Sequence, residues 1–366
     1  MKLLVVTNVD FALKQFLLPE LQAARARGHE VVATCADGPM LAAVRAAGVR
    51  VEPVPMARSY SPFAQWRAFR ALRALIRREK PDVVHGNFPI SGFLARVAAR
   101  LEGVPVVAYT CHGFLFNQPG PLWRRAAGFL MEWIGGRLTD VHMAVSTEEA
   151  AQARRLHIHP RSQGIGNGRD PGRFHPDPAA RARLRAELGV AEDRAVVIAV
   201  SRLVRHKGYP ELLAAMKEVD AELWVVGARL ASDHGEDLEP CFAACGLGAR
   251  LRRLGYRDDI PALLGAAEIF RLPCLFEGLA MSVIEALLSG LAVVASDISG
   301  PREQVVAGET GLLVPPRTVA PLAEALQRLA RDPALRARMG AAGRARALEC
   351  YDEARVVAHT LDLLGL

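Results

Sequence analysis

Apolar runs of strand length alternate with amphipathic stretches along nearly the whole chain. Residues 2–7, 31–35, 83–85, 104–109 and 141–145 are the first predicted strands, with predicted helices over 16–27, 63–80 and 93–102 between them. Strand, helix, strand at this rhythm gives βαβ units, hence a parallel sheet with helices on both faces. Pro81 and Pro105 stand at strand entries, where a missing backbone donor costs little.

The rhythm fails over residues 164–178, whose Gly and Pro content marks an interdomain linker. It then restarts. Predicted strands cover 195–201, 223–226, 249–254, 269–272 and 292–296, and predicted helices 209–217, 261–266, 281–288, 319–330 and 332–349. The chain therefore reads as two α/β domains, residues 1–170 and 171–345, with no internal sequence repeat. Two such domains are expected to meet in a cleft. Ligands of open α/β sheets bind outside the carboxyl ends of the strands, so the loops there are where chemistry is expected. Residues 278–296 hold a single charge, Glu285, but Ser289-Gly290 divides them into a helix-length and a strand-length piece. That break argues against a membrane span.

Composition narrows the classes. A chain of 366 residues can form two cores, and 51% hydrophobic with 23% charged residues excludes disorder. The net charge of +7, from 46 Lys+Arg against 39 Asp+Glu, is too small to argue for nucleic acid. Cysteines 35, 111, 241, 245, 274 and 350 are scattered, and only Cys241 and Cys245 are close. No His or second Cys pair completes a metal site at familiar spacing, so they read as buried thiols in a reducing compartment. The first apolar run is too short for a signal peptide and reads as a strand; a cytoplasmic location is expected.

Two loops of the second domain carry candidate chemistry. Residues 269–286, Ile-Phe-Arg-Leu-Pro-Cys-Leu-Phe-Glu-Gly-Leu-Ala-Met-Ser-Val-Ile-Glu-Ala, run strand, loop, helix. Glu277 closes the loop and Glu285 lies in the helix. With a helix start near Leu279, the amides of Gly278, Leu279, Ala280 and Met281 are expected to be unpaired donors suited to a phosphate. The plainer alternative makes Glu277 a complement to the helix dipole and Glu285 a solvated residue. The apolar neighbours Val283, Ile284, Ala286, Leu287 and Leu288 weigh against it, because a carboxylate among them needs a partner. The second loop, residues 201–209, offers Arg202 and Lys207. Two cations there can neutralise a diphosphate, the guanidinium by bidentate bonding and the ammonium as a point charge.

The pair of motifs, Ser-Arg-Leu-x4-Gly-Tyr with Lys207 and Glu-x7-Glu in residues 277–286, resembles the family 4 retaining glycosyltransferases of GT-B fold. Supporting matches are Gly255-Tyr256-Arg257-Asp258-Asp259, residues 293–303 and Gly308-Glu309-Thr310-Gly311-Leu312-Leu313-Val314, so the resemblance spans the C-terminal domain. In the N-terminal half, residues 17–31 and Thr110-Cys111-His112-Gly113-Phe114 are similar to members that build bacterial capsule, exopolysaccharide and O-antigen. Three positions depart from the family pattern. Thr7-Asn8-Val9-Asp10-Phe11 replaces a glycine pair, Cys274 stands where Ser is common, and Arg271 puts a charge inside an apolar strand.

The resemblance implies two Rossmann-like parallel-sheet domains facing a cleft, an acceptor-binding domain first and a donor-binding domain second. It also implies a C-terminal helix over 346–366 that crosses back to the N-terminal domain. By the same resemblance Glu277 contacts donor-sugar hydroxyls, Glu285 the nucleotide ribose, and Arg202 and Lys207 the diphosphate, while His112 faces the donor sugar. No Asp-x-Asp occurs, so the two cations are expected to replace a metal, and no cofactor is implied. Residues 227–236, with Asp233-His234, are expected near the base or ribose.

Two weaker features remain. His157-x-His159 could bind metal but lacks carboxylate support. Arg58, Arg67, Arg70, Arg73, Arg77, Arg78 and Lys80 crowd a segment with Tyr60, Phe63, Trp66, Phe69, Leu72 and Ile76. A basic amphipathic helix of this kind suits an anionic membrane surface, and a core-facing helix with a solvated basic back fits equally. The aromatics and charges of residues 122–133 add to the membrane side. The expected function is transfer of a sugar from a nucleotide-diphosphate sugar, UDP before GDP, to a lipid-linked or saccharide acceptor at the inner membrane face. The alternatives are a nucleotide-sugar 2-epimerase of the same fold and a non-catalytic nucleotide-sugar-binding partner protein.

Overall fold

The computed structural model describes residues 1–56, 61–229 and 236–366, which form two compact units, Met1–Asn167 with Glu353–Leu366, and Gly168–Asp352. The first is built on a seven-stranded sheet: β1 (Lys2–Val6), β2 (Glu30–Thr34), β3 (Arg50–Val51), β4 (Val83–Asn87), β5 (Val106–Cys111), β6 (Val141–Ala144) and β7 (Gln163–Gly164). Every pairing is parallel, in the order β3-β2-β1-β4-β5-β6-β7. The period-2 alternation divides β1 between two cores. Leu3 and Val5 face one apolar cluster and Leu4 and Val6 the other, so both faces are covered by helices.

The second unit has six parallel strands: β8 (Val196–Val200), β9 (Glu222–Val226), β10 (Leu251–Gly255), β11 (Ile269–Leu272), β12 (Ala292–Ser296) and β13 (Gly311–Val314), in the order β10-β9-β8-β11-β12-β13. Each sheet reverses its strand order once, between β1 and β4 and between β8 and β11. At such a reversal the adjoining loops diverge and leave a crevice at the carboxyl ends of the strands.

Most helices start on a side-chain cap or a proline. Ser61 Oγ accepts from the Ala64 amide ahead of Pro62–Glu79, and Asp332 Oδ1 from the Leu335 amide ahead of Pro333–Cys350, each worth about 1 kcal/mol. In place of one helix over 346–366, the Pro333–Cys350 helix stops at the buried Tyr351, and a separate helix, Glu353–Leu363, follows. Its Leu361, together with Leu364, is buried in the core of the first unit, and Arg27 bonds Asp362 at 2.7 Å.

Arg271 is the exception to an apolar core. It lies in β11, 1% exposed, and among the described residues its Nε and Nη2 have no hydrogen-bond partner. Its guanidinium carbon is 5.8 Å from the centroid of the Tyr209 ring. Burial pushes the guanidinium down to about 9, which leaves it a cation at neutral pH. A buried charge without a matched acceptor costs stability, so Arg271→Met should raise Tm by about 2–4 °C in calorimetry. A lower Tm would show that the guanidinium is compensated.

Candidate functional site

In the second unit the loops that leave β8 and β11, on either side of the strand reversal, are locked together. The β8 loop ends in a tight turn, Arg205–Lys207, and Gly208 at φ 74°. A Cβ on Gly208 would lie 1.9 Å from the Pro273 carbonyl oxygen, so only glycine allows the loops to close. The Leu275 amide then donates to the His206 carbonyl at 2.8 Å. This contact brings the Lys207 ammonium onto the Glu277 carboxylate as an ion pair, with side chains 14% and 19% exposed. Burial alone would lower the Lys207 pKa, but the charge and hydrogen bond of Glu277, with a contribution from Cys274, together outweigh it and the pKa is raised. Arg205 is engaged by Glu211 through two bonds of 2.8 and 2.9 Å. Arg202, half-buried, opens the β8 loop beside Ser201, whose Oγ meets the Tyr209 hydroxyl at 2.9 Å.

The segment from Gly278 to Met281 is held from the other side. Gly300, at φ 86°, approaches the Gly278 carbonyl so closely that a Cβ would fall 1.4 Å from it. Buried Gln304 bonds both backbone groups of Ala280, accepting from its amide at 3.1 Å and donating to its carbonyl at 2.8 Å. This corrects the expectation of four unpaired amides, since the Ala280 donor is already used. The helix starts at Met281 and puts Glu285 against Arg169, at 2.7 Å. Burial raises the Glu285 pKa and Arg169 opposes the rise. Beside these loops lies a pocket bounded by Leu203, Gly227, Ala228, Arg229, Asp237 and Gly255. Residues 230–235, with Asp233 and His234, lie outside the described residues.

His112 belongs to the first unit, just past β5. Its Nε2 meets Asn87 Oδ1 at 3.0 Å, and the Phe88 ring stacks on it with centroids 4.2 Å apart. Because the Asn87 amide nitrogen donates to the His85 carbonyl at 3.4 Å, the network assigns the proton to His112 Nε2 and leaves Nδ1 as the acceptor. Burial, with a smaller contribution from His85, pushes the ring down to about 3. It is therefore a neutral imidazole at working pH.

Other sequence candidates change. His159 stacks on His142 at 5.3 Å, and among the described residues no group of side chains could hold a metal ion. Three cations of the basic segment are compensated: Arg73 and Arg77 bond Glu102, and Arg78 bonds Glu52 and Glu79. Arg58 and Tyr60 lie outside the described residues. Sequence reasoning missed Asn87, Arg169 and Gln304, which act across long separations and leave no local pattern.

Two family descriptions match the chain, Glycosyl transferase 4-like domain over residues 17–168 and Glycosyl transferases group 1 over 180–346. The alpha-maltose-1-phosphate synthase of Mycolicibacterium smegmatis is 30% identical over 312 residues, 78% of this chain and 79% of its own. The chain belongs to the family 4 glycosyltransferases of GT-B fold. A second relative of this glycosyltransferase is the UDP-Gal:alpha-D-GlcNAc-diphosphoundecaprenol alpha-1,3-galactosyltransferase of Escherichia coli, 29% identical over 78% of this chain and 76% of that one. The fold is that of Anabaena HepE, crystallised with UDP and glucose, at a TM-score of 0.85 and 21% identity over 100% of this chain and 99% of that one.

The neutral His112 gives the transferase a pH signature. An unfolded histidine takes up a proton below about 6.5, whereas this ring resists it until about 3, so stability falls as pH drops through that window. Relative to His112→Gln, the native protein should lose about 2 kcal/mol between pH 7 and pH 5 in urea unfolding. A pH-independent difference would mean that His112 protonates freely in the fold.

Proposed function

We propose that this glycosyltransferase moves a hexosyl group from a nucleoside-diphosphate sugar to a lipid-linked or saccharide acceptor in bacterial polysaccharide biosynthesis, retaining the anomeric configuration. The observation that carries the reading is the Lys207–Glu277 pair at the β8/β11 reversal. A diphosphate takes the ammonium, with Arg202 as its second cation, and frees the carboxylate for sugar hydroxyls. Glu285, held by Arg169, takes the ribose. His112, neutral, accepts a hydrogen bond from a donor-sugar hydroxyl through Nδ1.

The bond from the anomeric carbon to the β-phosphate oxygen breaks as the bond to the acceptor oxygen forms on the same face. The acceptor proton passes to the departing phosphate. Negative charge thus grows on the phosphate, where the two cations and the Gly278 and Met281 amides stabilise it, a contribution of the kind that commonly dominates such catalysis. With no Asp-x-Asp in the chain, these cations take the part of a metal. The names of the relatives support the reading. Both relatives named above have α in their names, as retention gives from an α-linked donor, and the UDP-Gal of the galactosyltransferase favours a UDP-sugar.

Lys207→Ala and Glu277→Ala should each lower transfer by about 10²–10³-fold with the far-UV circular dichroism unchanged. Full activity in both would sink the assignment. UDP should raise the native Tm more than GDP at equal concentration, by linkage.

We also place the protein peripherally on the inner face of the plasma membrane. Among the described residues no helix is long and apolar enough to cross one. The compensated arginines weaken the electrostatic case made from sequence, but exposed rings strengthen the apolar one. Phe63 and Trp66 are 66% and 51% exposed and stack on each other, and Trp123 is 69% exposed. They stand at the starts of the Pro62–Glu79 and Leu122–Arg137 helices, with Arg67 and Arg70 alongside. Amphipathic rings beside cations fit a headgroup layer. Phe63→Ser with Trp66→Ser should lower co-sedimentation with phosphatidylglycerol vesicles by about tenfold. Unchanged sedimentation would remove the membrane part and leave the transferase intact.

A further inference from the structure

The strand reversal of the first unit, between β1 and β4, carries a strip of aromatic rings. Phe11 follows β1, Phe88 follows β4 and His112 follows β5, so three adjacent strands each contribute one ring. Phe16 joins them. The centroids of Phe11 and Phe16 are 5.7 Å apart, those of Phe16 and Phe88 6.4 Å, and those of Phe88 and His112 4.2 Å. All four are half-buried and keep part of their surface open to solvent.

Two independent features show that the strip is built at a cost. Residues Leu13–Leu17 form a π-helical turn, a rare winding found mostly at functional sites. Its wider spacing lets Phe16 come back under Phe11. Phe88 sits at φ 63° and ψ 158°, a backbone region that residues other than glycine rarely enter. That conformation turns its ring onto His112. The loop carrying Phe11 is also the one where Thr7-Asn8-Val9-Asp10-Phe11 departs from the family pattern.

We propose that Phe11, Phe16 and Phe88 form a stacking subsite for a pyranose ring of the acceptor saccharide. This rests on the transferase reading. One face of a pyranose is a patch of weakly positive C–H groups, which pairs with the negative face of an aromatic ring. The strip ends on His112, whose Nε2 is held by Asn87 and whose Nδ1 the proposed donor sugar takes, so a ring stacked on the strip lies beside the transferred sugar. A polyprenyl chain has no use for that position, and a separate exposed apolar edge at Phe63, Trp66 and Trp123 is there to take it. The half-buried strip therefore takes the sugar.

The test compares Phe11→Leu and Phe88→Leu, which keep apolar bulk but lose the ring, with Phe11→Trp, which restores one. The acceptor is N-acetylglucosaminyl diphosphate carrying a short alkyl chain, and KM is measured separately for it and for the nucleotide sugar. The leucine variants should raise the acceptor KM by about fivefold while the donor KM moves less than about twofold, and Phe11→Trp should recover the native value. Saturation-transfer NMR on aromatic irradiation should label the pyranose C–H protons in native protein and less so in the leucine variants. An unchanged acceptor KM in both leucine variants would overturn the subsite. So would an equal loss of affinity for the alkyl diphosphate without the sugar, which would assign the strip to lipid. If Phe88→Leu does not fold, Phe11→Leu decides alone. Absence of turnover with every nucleotide sugar would remove the transferase reading, while saturation of the pyranose would still decide whether the strip binds a sugar.

Discussion

The Lys207–Glu277 pair depends on one close approach, the backbone of Gly208 against the Pro273 carbonyl. A parallel sheet separates the loops on either side of a strand reversal, and left alone they would diverge. Gly208 has no Cβ and a positive φ, so the β8 loop can fold down until it touches the β11 loop. The ion pair between Lys207 and Glu277 follows from that contact. Gly300 against Gly278 and Gln304 against Ala280 repeat the same solution on the far side of the loop. The carboxylate is thus fixed by backbone packing from two directions, and its position does not depend on the ion pair alone.

What could be read from sequence follows the range of the forces involved. The strands at 269–272 and 292–296 and the helix at 281–288 are found where the pattern puts them, because burial on a fixed period is a local signal. Strands β3 and β7 have two residues each, too few to show any period. The Leu122–Arg137 helix also went unpredicted, since its exposed Leu122, Trp123 and Leu130 blur the amphipathic stripe. In the site, residue types and spacing pointed to Lys207, Glu277 and Glu285. Their partners did not follow, because Arg169 lies 116 residues from Glu285 and Gln304 lies 24 from Ala280. The cations of residues 58–80 show the same limit. Local counting found a basic patch, but Glu102 and Glu52 from other segments, with Glu79 inside it, pair Arg73, Arg77 and Arg78.

Charge is handled oppositely in the two units. The second unit pairs its site cations and carboxylates, whereas the first holds His112 neutral by burying it against Phe88 and Asn87. In the proposed transfer, a neutral acceptor facing the sugar suits a reaction in which the sugar becomes more positive, since a cation there would oppose the developing charge. A paired cation facing the phosphate suits a leaving group that becomes more negative. On that reading the burial that lowers the imidazole pKa serves the chemistry.

The two ion pairs also set what a ligand of the proposed site must supply. An isolated ammonium or carboxylate at that depth would be costly, and each pair removes the cost by mutual neutralisation. Opening such a pair is favourable only if a ligand supplies equivalent partners to both halves. On the proposed reading a diphosphate sugar would do so, with anionic oxygens for Lys207 and hydroxyls for Glu277, and its ribose for Glu285. A nucleoside monophosphate without a sugar would satisfy the cation and strand the carboxylate. The pair so read favours ligands that carry anion and polyol together over ligands that carry either one.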